Sequence, residues 1–143
     1  MSASDGILLV AATPLGNVGD ASARLRDALA SADVVAAEDT RKARRLAADL
    51  GVRIGGKVIS HYDAVESERA QVIAEHVAAG RTVVVVTDAG MPSVSDPGLA
   101  AVRACIEADL PVTCLPGPSA VTTALVLSGL PSDRFVFEGF LRE

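Results

Sequence analysis

Aromatic residues are scarce in this chain of 143 residues: it has no Trp, one Tyr and three Phe. Half of the residues are nonetheless hydrophobic, so a core has to be assembled from Ala, Val and Leu, which suits helices packed on a parallel sheet. Long apolar runs are also missing. None approaches the roughly 18 residues of a membrane span, and no basic region precedes the short run ILLVAA at 7–12. A membrane protein and a secreted precursor are therefore not expected, and a cytoplasmic location is. Cysteine and histidine are equally sparse. Cys105 and Cys114 fit no metal-ligand spacing and sit in apolar segments, which predicts buried reduced thiols. His61 and His76 have no Cys or His beside them, so no metal site is expected. Positive charge is in deficit, with a net charge of −5, which excludes indiscriminate phosphate binding. One local exception is Arg41-Lys42-Ala43-Arg44-Arg45. Repeats, low-complexity tracts and internal linkers are absent.

What is present alternates regularly. Apolar runs of strand length occur at 6–12, 33–38, 57–62, 82–88 and 111–116, and segments with helical spacing lie near 20–31, 40–50, 66–79, 96–109 and 118–128. In the third helical segment Ala70, Val72, Ile73, Ala74 and Val77 make the apolar face; in the fourth, Leu99, Val102 and Ile106 are spaced to do so. Gly51, Gly80 and Gly129 follow helical segments where a left-handed terminal residue is commonly needed. Ser95 or Asp96 is placed to cap the fourth helix with Pro97 in its first turn, and Gly117-Pro118 to open the fifth. The fold class expected is α/β: a mostly parallel five-stranded sheet with helices on both faces and right-handed crossovers.

In open sheets of this kind ligands bind outside the carboxyl ends of the strands. The segments leaving those ends are TPLGNVGD (13–20), EDTRKARR (38–45), SHYD (60–63), TDAGMPSVSDPG (87–98) and PGPSA (116–120). Three of them are rich in Gly, Pro and hydroxyl residues, which permit close backbone approach and stiffen a loop around a ligand such as a nucleoside. Neither G-x-G-x-x-G nor G-x-x-x-x-G-K-[ST] occurs, which disfavours a dinucleotide-binding Rossmann unit and a P-loop. Glu38 and Asp39 leave the second strand at the same edge. Either is a candidate base or hydroxyl-positioning group, and Asp39 is equally a candidate cap of the second helix. His61 reads as a loop histidine. Arg41, Arg44 and Arg45 lie at i, i+3 and i+4, hence close together on one side of a helix.

ATPLGNVGD (12–20), AAEDTRKARRL (36–46), TDAGMPSVSDPG (87–98), PGPSA (116–120) and SGLPSDRFVFEGFL (128–141) closely resemble the N-terminal part of the small-subunit ribosomal RNA methyltransferase I family, within the tetrapyrrole-methylase superfamily. The motifs occur in the expected order through nearly the whole chain. The resemblance implies S-adenosylmethionine as methyl donor and the ribose 2′-hydroxyl of a cytidine in small-subunit ribosomal RNA as acceptor, in the assembled subunit. It also implies a homodimer of two-domain subunits. On this reading residues 1–130 are the N-terminal methylase domain, 131–143 are the hinge and first strand of a second domain, and that second domain is absent from the chain. The donor contacts implied are Pro14, Leu15, Thr87, Asp88, Met91, Ser119 and Ala120, with Met91 standing where the family is expected to carry Thr. The implied RNA contacts are Arg41, Arg44 and Arg45, with Lys42. The alternatives are a methylase of tetrapyrrole-like small molecules, and an inactive nucleoside-binding or dimerisation module.

Overall fold

A computed structural model describes residues 5–61, 66–94 and 97–139. Its elements are β1 (Ile7–Ala11), α1 (Ala23–Ser31), β2 (Val34–Ala37), α2 (Thr40–Asp49), β3 (Lys57–Ser60), α3 (Glu66–Ala78), β4 (Thr82–Val86), α4 (Leu99–Glu107), β5 (Val112–Leu115) and α5 (Ala120–Ser128), with a 3-10 turn at Val18–Asp20. The five strands form one parallel sheet in the order β3-β2-β4-β1-β5. The expected α/β architecture and its strand–helix alternation are present. Among the described residues no helix is long and apolar enough to cross a membrane.

The central strands explain the valine-rich runs. Side chains alternate between faces along a strand, and β4 lies between β2 and β1. Val83 and Val85 therefore point to one face and Val84 and Val86 to the other, all at most 2% exposed. On the first face Ile73, Ala74 and Val77 of α3 and Ala101 and Cys105 of α4 complete a core with Leu8, Val10, Val34 and Ala36. On the second, Leu25 and Leu29 of α1 and Ala43 and Ala47 of α2 pack on Ala11, Val35 and Ala37.

The punctuation is local chemistry. Ser22 caps α1, its hydroxyl accepting from Leu25 N at 3.0 Å. Gly51, Gly80 and Gly129 all hold positive φ after their helices. At α4 the outcome differs from expectation. The helix starts at Leu99 after Gly98, so Pro97 precedes it, while Ser95 and Asp96 lie outside the described residues. Its buried stripe is Ala101 and Cys105, whereas Leu99 and Ile106 are 50% and 62% exposed. Small side chains let α4 approach α3 and the sheet closely, and bulky ones are excluded from that seam. Cys114 also departs from expectation. It is exposed, because β5 is an edge strand, whereas Cys105 is buried as expected. Helix α5 has no buried residue, although its sequence AVTTALVLS carries no charge. Val126, Leu127, Leu130 and Val136 stay at least 69% exposed, and residues 131–139 form no strand.

Candidate ligand site at the carboxyl edge of the sheet

The strand order creates a switch point. From β1 the chain crosses to β2 on one side of the sheet, and from β4 it crosses to β5 on the other. β1 and β4 are neighbours, so the loops leaving them diverge from adjacent strand ends and open a crevice where α/β sheets bind ligands. These two loops are also tied together. Thr13 N donates to Gly90 O and Gly90 N to Thr13 O, both at 3.0 Å. The buried Thr13 hydroxyl donates to Thr87 O at 3.2 Å. Gly90 sits at φ 84°, and a Cβ there would stand 3.3 Å from Leu15 Cδ2. Glycine lets the β4 loop lie this close to Leu15 with that backbone at no conformational strain.

A third segment joins them from β2. Asp39 caps α2, its Oδ1 accepting from Arg41 N at 2.9 Å and Lys42 N at 3.4 Å. The capping reading of Asp39 is thus the one the structure displays. Desolvation would raise its pKa, but the two backbone donors and the charges of Arg41 and Lys42 outweigh it and hold the carboxyl below its usual range. Glu38 Oε1 accepts from Asp88 N at 3.0 Å, and Lys42 Nζ lies 3.2 Å from Asp88 Oδ2. The start of α2 therefore grips the β4 loop through both the backbone and the side chain of Asp88.

Between these segments lies a cavity of about 400 Å³. Pro14, Leu15, Thr87, Asp88 and Asp39 border it, as do Lys42 and Arg45. The other sequence-designated positions lie elsewhere. Met91 is half-buried beside Cys114, with 3.7 Å between the two sulfurs. Ser119 and Ala120 begin α5, and the Ser119 hydroxyl makes no capping hydrogen bond. A second cavity, of about 510 Å³, opens on their side of Leu15, bordered by Asn17, Gly117, Pro118 and Thr123. Leu15 lines both cavities and divides them.

The arginines separate as well. Arg45 borders the first cavity, Arg44 borders a groove with Arg53, and Arg41 is an exposed side chain 3.8 Å from Asp39 Oδ1. His61, read as a loop histidine, is instead fully buried at the end of β3, where its backbone N–H donates to Ala37 O at 2.7 Å. The rest of the 60–63 loop lies outside the described residues. Sequence reasoning grouped Lys42 with the arginines as a phosphate contact. Its partner Asp88 is 46 residues away, and no local spacing signals that pair. Val18 and Leu46, which also line the cavity, fall inside the motifs at 12–20 and 36–46, but sequence reasoning gives them no role of their own.

The fold is thus a parallel five-stranded sheet lacking the dinucleotide fingerprint, with its crevice between the β1 and β4 loops. The sequence profile of the Tetrapyrrole (Corrin/Porphyrin) Methylases matches residues 8–141, and the chain belongs to that family. Within it, the chain is 61% identical over 137 residues to the ribosomal RNA small subunit methyltransferase I of Mycobacterium tuberculosis H37Rv, covering 96% of this chain and 48% of that protein. It is 47% identical over 135 residues to the protein of the same name from Vibrio cholerae, covering 94% of this chain and 46% of that one. The chain thus spans about half the length of the curated relatives it matches. Among solved structures, the uroporphyrin III C-methyl transferase of Thermus thermophilus superposes with a TM-score of 0.61 at 24% identity, over 87% of this chain and 52% of that one. That likeness concerns the fold.

Proposed function

We propose that this chain is the N-terminal half of an S-adenosylmethionine-dependent methyltransferase acting on the ribose 2′-hydroxyl of a cytidine in small-subunit ribosomal RNA. The observation that carries the reading is the crevice at the switch point, where the β1 and β4 loops are bonded at Thr13 and Gly90 and α2 holds Asp88. The names of the relatives point to small-subunit ribosomal RNA as the substrate class. We assign Pro14, Leu15, Thr87, Asp88, Met91, Ser119 and Ala120 to the donor. The donor-side chemistry is what these residues fit: tight backbone at Gly90, a carboxylate at Asp88, and a hydroxyl at Ser119 with no capping hydrogen bond. When bound, S-adenosylmethionine supplies a methyl group on a sulfonium, a good leaving group. The protein then has mainly to align the attacking oxygen, which contributes up to roughly 7–11 kcal/mol in well-oriented reactions.

Glu38 and Asp39 act here as positioning groups. A carboxyl held below its usual pKa is a weak proton acceptor, and Glu38 Oε1 is already engaged with Asp88 N. Arg41, Arg44 and Arg45, with Lys42, supply phosphate contacts that set register without reading sequence. Residues 1–130 form the methylase domain, and 131–143 lead into a second domain. That domain and a second subunit in a cytoplasmic homodimer are the occupants we assign to the uncovered apolar side chains of α5 and residues 130–137.

The test uses the full-length protein. Calorimetry should detect S-adenosylmethionine and its demethylated product, and labelled methyl should pass to a ribose hydroxyl in assembled small subunits. Methylation of a porphyrinoid in place of RNA would overturn the substrate assignment; absence of any heat with either donor species would overturn the donor site.

A further inference from the structure

We infer that the cavity between α2 and the β1 loop is a nucleoside subsite sharing the wall of Pro14, Leu15, Thr87 and Asp88 with the donor site, seating one unstacked nucleotide of the RNA with its base inward and its phosphate at the rim. The inference rests on the RNA-methylating reading above and names the part of the site that takes the acceptor.

The cavity has two chemically different halves. Its inner wall is apolar: Leu29, Ala37 and Val86 are at most 2% exposed there, and Val18, Ala43 and Leu46 complete it. Its mouth is charged, with Lys42 and Arg45 against Asp39, Asp49 and Asp88. An apolar slot with a few convergent polar groups is the ordinary make-up of a small-ligand site, and about 400 Å³ lies near the lower end of the usual range. A flat ring with a charged tail matches that division; a porphyrinoid macrocycle does not.

Pro14, Leu15, Thr87 and Asp88 border this cavity, whereas Met91, Ser119 and Ala120 do not, so those first four form a wall shared with the donor. Leu15, with its Cδ2 3.3 Å from where a Gly90 Cβ would be, also lines the cavity on the β5 side. Among the described residues Arg45 enters no ion pair, so its charge is available to a phosphate, whereas Lys42 is committed to Asp88. That pair spans the mouth. Its side chains are 60% and 31% exposed, and pairs so exposed to solvent hold only weakly. A nucleotide phosphate can take Lys42 from Asp88, releasing the carboxylate at the border of the donor crevice. Arrival of the acceptor would thereby free a group on the donor side. Enzymes that act on nucleic acid commonly draw the target nucleotide out of its stack into such a pocket.

The experiment is methyl NMR on the full-length protein with labelled Ala, Leu and Val methyls, titrated with S-adenosylhomocysteine and then with cytidine 5′-monophosphate. The nucleotide is expected to shift Val18, Ala43 and Leu46, and S-adenosylhomocysteine to shift Ala120 while leaving those three in place. Arg45→Ala should abolish the preference for cytidine 5′-monophosphate over cytidine. Val18→Trp, at a half-buried position, should raise the KM for RNA by at least about tenfold while the donor Kd stays the same. The proposal is overturned if S-adenosylhomocysteine alone shifts all three methyls, or if the nucleotide shifts none of them while Ala120 still responds to the donor product. Shifts from the nucleotide with no response to S-adenosylhomocysteine would support the subsite and sink the donor assignment instead.

Discussion

Replacing Gly90 with Ala tests how the crevice is held. Gly90 has φ 84°, and a side chain in the left-handed region costs roughly 1–2 kcal/mol. The new Cβ would also lie 3.3 Å from Leu15 Cδ2 and 3.9 Å from Pro118 O. The second contact is ordinary; the first requires the Leu15 side chain to give by a few tenths of an ångström. Unfolding entropy is about 2 cal/mol/K per residue, so 143 residues carry about 0.3 kcal/mol/K. Thermal unfolding followed by circular dichroism should therefore show Tm lowered by about 3–7 °C. Gly51→Ala is the control. Gly51 has φ 73° with nothing within 4 Å, so it carries the backbone strain without the contact. Both variants should lose similar stability, but only Gly90→Ala should weaken S-adenosylhomocysteine binding in calorimetry, because only it moves Leu15. Equal donor affinity in the two variants would refute the claim that the Gly90–Leu15 approach shapes the site.

Asp39→Asn should keep the cap of α2 and at least a tenth of the methylation rate, while Asp39→Ala should unfold at a lower temperature; a loss of about 10²-fold or more in the Asn variant would restore Asp39 as a base. Because the folded pKa of Asp39 lies below its unfolded value, its charge stabilises the protein above the unfolded pKa, and that contribution is lost as pH falls through the folded pKa. Urea titrations across that acid range should show a smaller pH dependence in the Asn variant. Ala101→Leu, at a fully buried position in the seam of α4, should cost about 1–3 kcal/mol by overpacking, whereas Leu99→Ala, at a half-exposed one, should cost within about 0.5 kcal/mol, both read by urea denaturation. Lys42→Ala should change stability by less than about 1 kcal/mol, since its pair with Asp88 is open to solvent, yet it should raise the KM for RNA more than the donor Kd.

The motifs carried the family, and the loop compositions carried the choice of sheet edge. Pro14, Leu15, Thr87 and Asp88 do meet in one cavity, as the loop argument requires, while Met91, Ser119 and Ala120 do not border it. The arginine cluster illustrates the limit of spacing. The i, i+3, i+4 pattern put three cations on neighbouring positions, but their side chains serve a cavity, a groove and open solvent. The α4 seam went astray for a related reason. Periodicity favours the largest apolar residues as the buried stripe, and a close helix–helix approach favours the smallest.

What the amino-acid order determined alone is everything governed by neighbours a few residues apart. That includes five apolar runs of strand length, helices bounded by an Asp39 cap candidate and the left-handed glycines, and loops too rich in Gly and Pro to be simple connections. Tertiary structure decided where those pieces lie across the sheet. Placing β4 between β2 and β1 joins Thr13 to Gly90 and Lys42 to Asp88, contacts made over 77 and 46 residues. Such pairings depend on which face each strand and helix must bury, a condition satisfied only by the whole fold at once.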